Sequence, residues 1–330
     1  MPKTDIKDNI KDIPEVRKPI LEAASQGKLV IFIGAGVSRI IGCPSWKNLA
    51  LKYLKYLYEE KRCINFYEHE SLSKLDPRKL LSICRKMLEK EKIPPPDIKS
   101  FLNADKELKE KYTIYEDLYK FSAVYVTTNY DDYLDQVAEK PMSEIPSVAN
   151  STLLSTIEKE QSKKSEIIIH SQEKLLTSKL DNGKVIHLHG SIKDAGNLIM
   201  TIVDYMKHYE NGGKPAVFLE EMFNKYTVLF VGYELEEYEL LEFIIHKSHS
   251  SKNEKKHFML YPILRQELSL LNFQQEYYKD LGIELVPYPI DENGYEQLAI
   301  VIREWANQIG NSARPQNFLD KIKLIDEVVK

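Results

Sequence analysis

The sequence predicts an α/β fold: a doubly wound parallel sheet carrying an inserted, mostly helical smaller lobe. Two observations point to it. Short apolar runs recur along the chain, and helical stretches separate most of them, as in parallel sheets with crossover helices. Three of these runs close on a glycine turn, and the first, Leu29-Val30-Ile31-Phe32-Ile33, runs straight into Gly34-Ala35-Gly36-Val37-Ser38. Five apolar residues in a row read as a strand buried on both faces.

Residues 15–26 read as a helix leading into that strand, with Gly27 as its stop. Residues 45–120 are helical in pattern, with Leu49, Leu54 and Leu57, then Leu80, Leu81 and Leu88, at helical spacing. Pro94-Pro95-Pro96 breaks this lobe in two. The second strand is Ala123–Thr127. Residues 141–183 are polar and form an irregular insert, in which Ile167-Ile168-Ile169 suits a short strand. Further strands are Val185–His189, Thr227–Val231, Phe258–Tyr261 and Ile283–Val286. Helices are expected around 215–225, 235–247, 265–280, 294–308 and 316–329. The expected organisation is an N-terminal helical segment (1–26), a catalytic domain (27–310) holding both inserts, and a C-terminal helix (311–330).

Composition narrows the class. Hydrophobic residues make up 43% and charged residues 29% of the 330, as in a soluble globular protein. A net charge of −4 leaves no footprint of general nucleic-acid binding. No apolar run reaches the roughly 18 residues of a membrane span. The first residues are charged throughout and lack the apolar core of a signal peptide. Cys43, Cys63 and Cys84 stand far apart, without the paired spacing of a zinc ribbon or a disulfide framework. A cytoplasmic location is the simplest expectation.

Three segments at strand ends can carry chemistry. The glycine loop brings backbone N–H groups and a helix start toward an anion, which suits a dinucleotide phosphate. Thr127-Thr128-Asn129-Tyr130-Asp131 closes the second strand. Asn129 offers donors and an acceptor for a water or a ribose hydroxyl, and Asp131 can accept from a carboxamide. The same residues also suit a plain Asx cap at a strand-to-helix turn. In Val185-Ile186-His187-Leu188-His189-Gly190, strand period puts both histidines on one face. His189, before a glycine, is placed as a general base; hydrogen-bonded structural histidines are the plainer alternative. No second ligand cluster stands at metal spacing, so no metal is expected. Leu229-Phe230-Val231-Gly232-Tyr233-Glu234-Leu235 is a further glycine junction, weak evidence in isolation.

Taken in order, these four junctions resemble the sirtuin superfamily, and within it the prokaryotic SIR2-like domains of the antiphage-defence NADase type. Gly42-Cys43-Pro44-Ser45-Trp46 resembles the element after the first loop, and Thr201 with Asp204-Tyr205 resembles a Thr-x-x-Asp-Tyr element of that branch. The resemblance implies a Rossmann-like NAD-binding domain with a smaller lobe over the active site. It places Gly34, Ala35, Gly36 and Ser38 along the pyrophosphate, and Asn129 and His189 at the essential Asn and His. It places Asp131 and Thr128 beside the nicotinamide, and Gly232, Tyr233 and Glu234 near the adenosine half. The chain departs from the deacylases: it lacks four zinc cysteines, and Thr128 replaces a Gln. Lys47 stands for Arg, Glu234 for a small polar residue, and Glu237 for Asp.

The expected function is NAD+ glycohydrolysis, giving nicotinamide and ADP-ribose, in an effector that empties the NAD+ pool. A protein deacylase and a non-catalytic NAD or ADP-ribose sensor are the alternatives. The resemblance also implies a homo-oligomer and a regulatory partner, such as a HerA-like ATPase or an Argonaute-type protein. Neither direct nucleic-acid binding nor a membrane is expected.

Overall fold

A computed structural model describes residues 10–121, 123–140, 167–170, 180–210, 213–233 and 257–312. The expected helices at 235–247 and 316–329 lie outside these residues. Seven strands form one sheet: β1 (Leu29–Ile33), β2 (Val124–Thr127), β3 (Ile168–Ile169), β4 (Val185–His187), β5 (Thr227–Val231), β6 (His257–Ile263) and β7 (Ile283–Pro289). Their order is β3-β4-β2-β1-β5-β6-β7. Every pairing is parallel. The expected α/β class is the observed one.

β1 lies mid-sheet and is wholly buried. Its alternation divides the core. Leu29, Ile31 and Ile33 join one apolar layer with Ile114, Leu118 and Trp305; Val30 and Phe32 join the other with Leu219, Met222 and Phe223. A strand covered on both faces has no polar positions, which is why its sequence is apolar throughout. The last helix among the described residues, Gln297–Ser312, sits in the first layer, and its Trp305 Nε1 donates to the carbonyl of Pro14 at 2.7 Å.

The chain turns back at β1. The links from β1 to β2 and on to β4 run to one side, whereas β5, β6 and β7 extend on the other. The turns after β1 and β5 therefore flank a topological switch point, the place where ligands settle in open α/β sheets.

The helical lobe has its own apolar cluster, built on Leu49, Leu54, Leu80, Leu81, Cys84 and Leu88. Its helices begin where side-chain caps allow. Ser45 accepts from the Asn48 N–H, Asn65 and Glu68 form a capping box, and Asp76 caps a helix that opens with Pro77. The helix Ile114–Tyr119, which sequence periodicity groups with this lobe, packs on the sheet instead. Most of the expected irregular insert lies outside the described residues, but β3 forms there and pairs with β4. No helix among the described residues is long and apolar enough to cross a membrane.

One expectation is corrected. The strand foreseen at Val185–His189 stops at His187. The next residues turn: Gly190 adopts φ +82°, and the His189 carbonyl accepts from Ile199 N–H rather than from a strand neighbour. With strand period lost, the two histidines part. His187 reaches the helix Tyr133–Ala138, and His189 packs by the helix Ile202–His208.

Candidate active site

Thr127 starts the site. Its hydroxyl donates to the Ile33 carbonyl at 3.0 Å and accepts from the Asn129 N–H at 3.0 Å, bending the chain out of β2. This sets the Asn129 side chain over the glycine loop. Its Nδ2 donates to the Gly34 carbonyl at 3.0 Å and to Ser38 Oγ at 2.8 Å. Ser38 donates onward to Asp131 at 2.7 Å, and the Tyr115 hydroxyl donates to the other Asp131 oxygen at 3.2 Å. Burial raises the Asp131 carboxyl above its usual range, against the pull of the Ser38 hydrogen bond. Burial likewise pushes the Tyr115 phenol well up. Asn129, Ser38, Asp131 and Tyr115 thus form one chain of hydrogen bonds that joins three segments.

A cavity of about 50 Å³ opens beside this chain, lined by Ala35, Ser38, Trp46, Thr128, Asn129 and Asp131 among others. An enclosed cavity of roughly 150 Å³ holds benzene; this one is smaller and open to solvent, so a pyridine ring sits in it only in part unless it widens. Cys43 also lines it, but burial pushes that thiol up to about 12, so it is no thiolate nucleophile.

A second cavity of about 210 Å³ lies at the switch point. Gly36, Arg39, Gly232, Tyr233, Tyr288 and Tyr295 contribute to its wall. The two glycine turns meet here backbone to backbone, with the Val37 and Tyr233 side chains alongside. Gly34 N–H donates to the Val231 carbonyl at 3.0 Å, and Gly36 N–H donates to the Gly232 carbonyl at 2.8 Å. A Cβ on Gly34 would stand 2.4 Å from the Gly232 oxygen, which no side chain tolerates. Gly36 faces the same oxygen at 2.7 Å, and Gly232 holds φ +61°. The N–H groups of Gly34 and Gly36 are thus engaged within the protein, and Ala35 and Ser38 are the loop residues that reach the first cavity. Glu234 and Glu237 lie outside the described residues.

His189 is fully buried and lines neither cavity. Its Nε2 lies 2.7 Å from the Tyr209 hydroxyl and its Nδ1 3.4 Å from the Tyr205 hydroxyl. Burial, with the nearby charges of His208 and Arg78, drives its pKa well below the usual histidine range and keeps the ring neutral. The Thr-x-x-Asp-Tyr element shapes this surround. Thr201 and Asp204 form a capping box that starts the helix Ile202–His208, and the helix then lays Tyr205 against His189 with ring centroids 4.9 Å apart.

His187 instead braces the site from beneath. Its Nδ1 meets the backbone carbonyl of Asn129 at 3.1 Å, and its Nε2 meets Asp135 at 2.7 Å. His170, at the end of β3, brings its Nε2 to 3.8 Å from the other Asp135 oxygen. The sequence reading that no second ligand set accompanies the histidines is corrected: Asp135, His170 and His187 each offer one ligand atom, all within 4.8 Å. The pairing of β3 with β4 creates this cluster, and nothing in the spacing of the residues announces it. Arg39 and Tyr115 also escape sequence reading, although Arg39 directly follows the loop serine.

Comparison with known proteins fits this arrangement. Residues 123–286 match the family model described as a SIR2-like domain. The chain carries a SIR2-like domain. The match takes in Asn129, Asp131, His187, His189 and the Gly232 turn, and the sheet sets the earlier Gly34 loop against Asn129, Asp131 and the Gly232 turn. The chain is also similar to the defense-associated sirtuin 2 of Bacillus subtilis, 24% identical over 297 residues. That alignment covers 87% of this chain and 26% of the relative, so the chain spans about a quarter of the relative's length.

Proposed function

We propose that this chain is an NAD+ glycohydrolase that splits the nicotinamide–ribose bond and releases nicotinamide and ADP-ribose. The observation that carries the reading is the setting of Asn129. Its side chain spans the glycine loop and Ser38, at the carboxyl edge of the sheet and beside the switch point.

The larger cavity at the switch point suits the adenosine half of the dinucleotide, with Arg39 at its wall available to an anionic group. The smaller cavity takes the nicotinamide end once it widens. Asn129 orients the ribose or the attacking water, a contribution of position more than of charge. Asp131 stays behind Ser38 and Tyr115 and fixes the pose of both. His189 falls on the base position of the resembling family; buried and with its basicity lowered, it serves as a base only in a state where it meets the site and gains hydration. Nicotinamide leaves as a neutral ring from a cationic one, so the leaving group needs no acid.

The relative's printed name, a defense-associated sirtuin, supports a role as an antiphage effector that depletes NAD+. Such an enzyme is silent until triggered, and a narrow first cavity with a sequestered base fits that state. Homo-oligomerisation and a regulatory partner, such as a HerA-like ATPase or an Argonaute-type protein, would supply the trigger. The absence of a four-cysteine set in the sequence weighs against a deacylase. Incubating the purified protein with NAD+, with and without an acetyl-lysine peptide, separates the readings. Peptide-independent release of nicotinamide is expected; release only with peptide would replace this reading by deacylation, and none under any trigger by sensing.

A further inference from the structure

We propose that Asp135, His170 and His187 form a binding site for a divalent transition metal of the zinc class, beneath the Asn129 turn. The three side chains come from three elements: the helix Tyr133–Ala138, the end of β3 and the end of β4. Two imidazoles and a carboxylate are a donor set that suits zinc and its neighbours.

The surrounding contacts prepare the ligands. The Asn129 carbonyl, 3.1 Å from His187 Nδ1, can only accept. Nδ1 therefore donates to that carbonyl, and the Nε2–H that donates to Asp135 at 2.7 Å is the proton an arriving metal would displace. A backbone carbonyl behind a metal-binding histidine is the usual outer support for such a ring. The side chains of Asp135 and His187 are fully buried, whereas that of His170 is 23% exposed and offers a way in. Asp135 Oδ2 is buried without a hydrogen-bond partner among the described residues.

Distances agree with the ion. Ligands near 2.0–2.1 Å around a tetrahedral zinc lie about 3.3 Å from one another. His187 lies 2.7 Å from one Asp135 oxygen and His170 3.8 Å from the other, and one ligand atom from each residue lies within 4.8 Å of the rest, so side-chain adjustments of an ångström or so bring the set to that spacing. Lys193 is the competitor. Its ammonium stands 3.4 Å from Asp135 Oδ2 and 2.9 Å from Glu139. An arriving cation displaces it onto Glu139, where it already has a partner.

The test uses the full chain, stripped with a chelator and titrated with zinc alone by calorimetry, with metal content measured after desalting. One zinc per chain is expected. His170→Ala should weaken binding by at least tenfold with its circular dichroism spectrum unchanged, and Lys193→Met should tighten it. Cobalt should bind in the same place and give the absorption of a tetrahedral nitrogen and oxygen site, lost in His170→Ala. If His170→Ala fails to fold, Lys193→Met and the cobalt spectrum decide the matter. No stoichiometric zinc, or zinc held equally by folded His170→Ala, overturns the proposal. NAD+ turnover plays no part in this test, so its outcome is independent of the proposed hydrolase activity.

Discussion

The hydroxyl of Tyr209 lies 2.7 Å from Nε2 of His189, a ring nitrogen of the proposed base. Removing the hydroxyl in Tyr209→Phe should therefore raise NAD+ cleavage by the purified protein several-fold. His189→Ala should lower it by about 10²–10⁴-fold, the usual worth of a positioned base. Steady-state nicotinamide release reads both. A mild His189→Ala beside a dead but folded His187→Ala would transfer the role to His187.

Asn129→Ala should cost on the order of 10²-fold or more in turnover, because it removes orientation at the reacting centre. Ser38→Ala leaves Asn129 in place but deletes one of its two anchors and a donor to Asp131. Its loss should fall on kcat more than on KM. An unchanged kcat in Ser38→Ala would show that the hydrogen-bond chain does not steer Asn129.

Gly34→Ala puts a methyl group 2.4 Å from the Gly232 oxygen. Overpacking of this kind costs about 1–3 kcal/mol. Urea unfolding should register that loss, and calorimetry should find NAD+ binding weakened with it. Wild-type stability in this variant would mean that the two turns separate freely.

Acid should destabilise the fold through its buried histidines. Burial takes His208 down to about 4 and His189 well below its usual value. The unfolded chain therefore takes up protons below about pH 6.5 that the folded chain refuses. Their contribution is whole above pH 6.5 and is lost as pH falls toward 4, at no more than about 1.4 kcal/mol per pH unit for each ring. Denaturant midpoints at pH 7 and pH 5 measure this, and His208→Asn should flatten the difference. An equal slope in that variant would assign the acid sensitivity elsewhere.

Activity should depend on assembly. Light scattering combined with NAD+ turnover over a concentration series should find oligomers, with specific activity rising as they form. A monomer of full, concentration-independent activity would remove oligomerisation from the account.

Much of this molecule could be read along the chain. β1 betrays itself because burial on both faces leaves no place for a polar residue, and the glycines at 34, 36 and 232 are demanded by close backbone contact. Asn129 and Asp131 stand out because a strand's carboxyl end followed by Asn and Asp is a chemical as well as a conformational signal. The rest depends on partners distant in sequence. Strand periodicity fails at His189 because Gly190 turns the chain one residue later, and the ring's surroundings come from Tyr205 and Tyr209. His170 gains its meaning only when two isoleucines pair with β4. Ionic and hydrogen-bonded clusters of this kind follow from topology, and no local pattern encodes them.

The contact between the Gly34 and Gly232 turns also governs how this gene can be recombined. Each turn supplies the surface against which the other is shaped, with backbone packed directly on backbone and only Val37 and Tyr233 adding side chains at the contact. A chimera whose crossover falls between the two would join halves that never adapted to each other. Shuffled libraries built on this scaffold should therefore inherit both turns from one parent, although they lie far apart in the sequence.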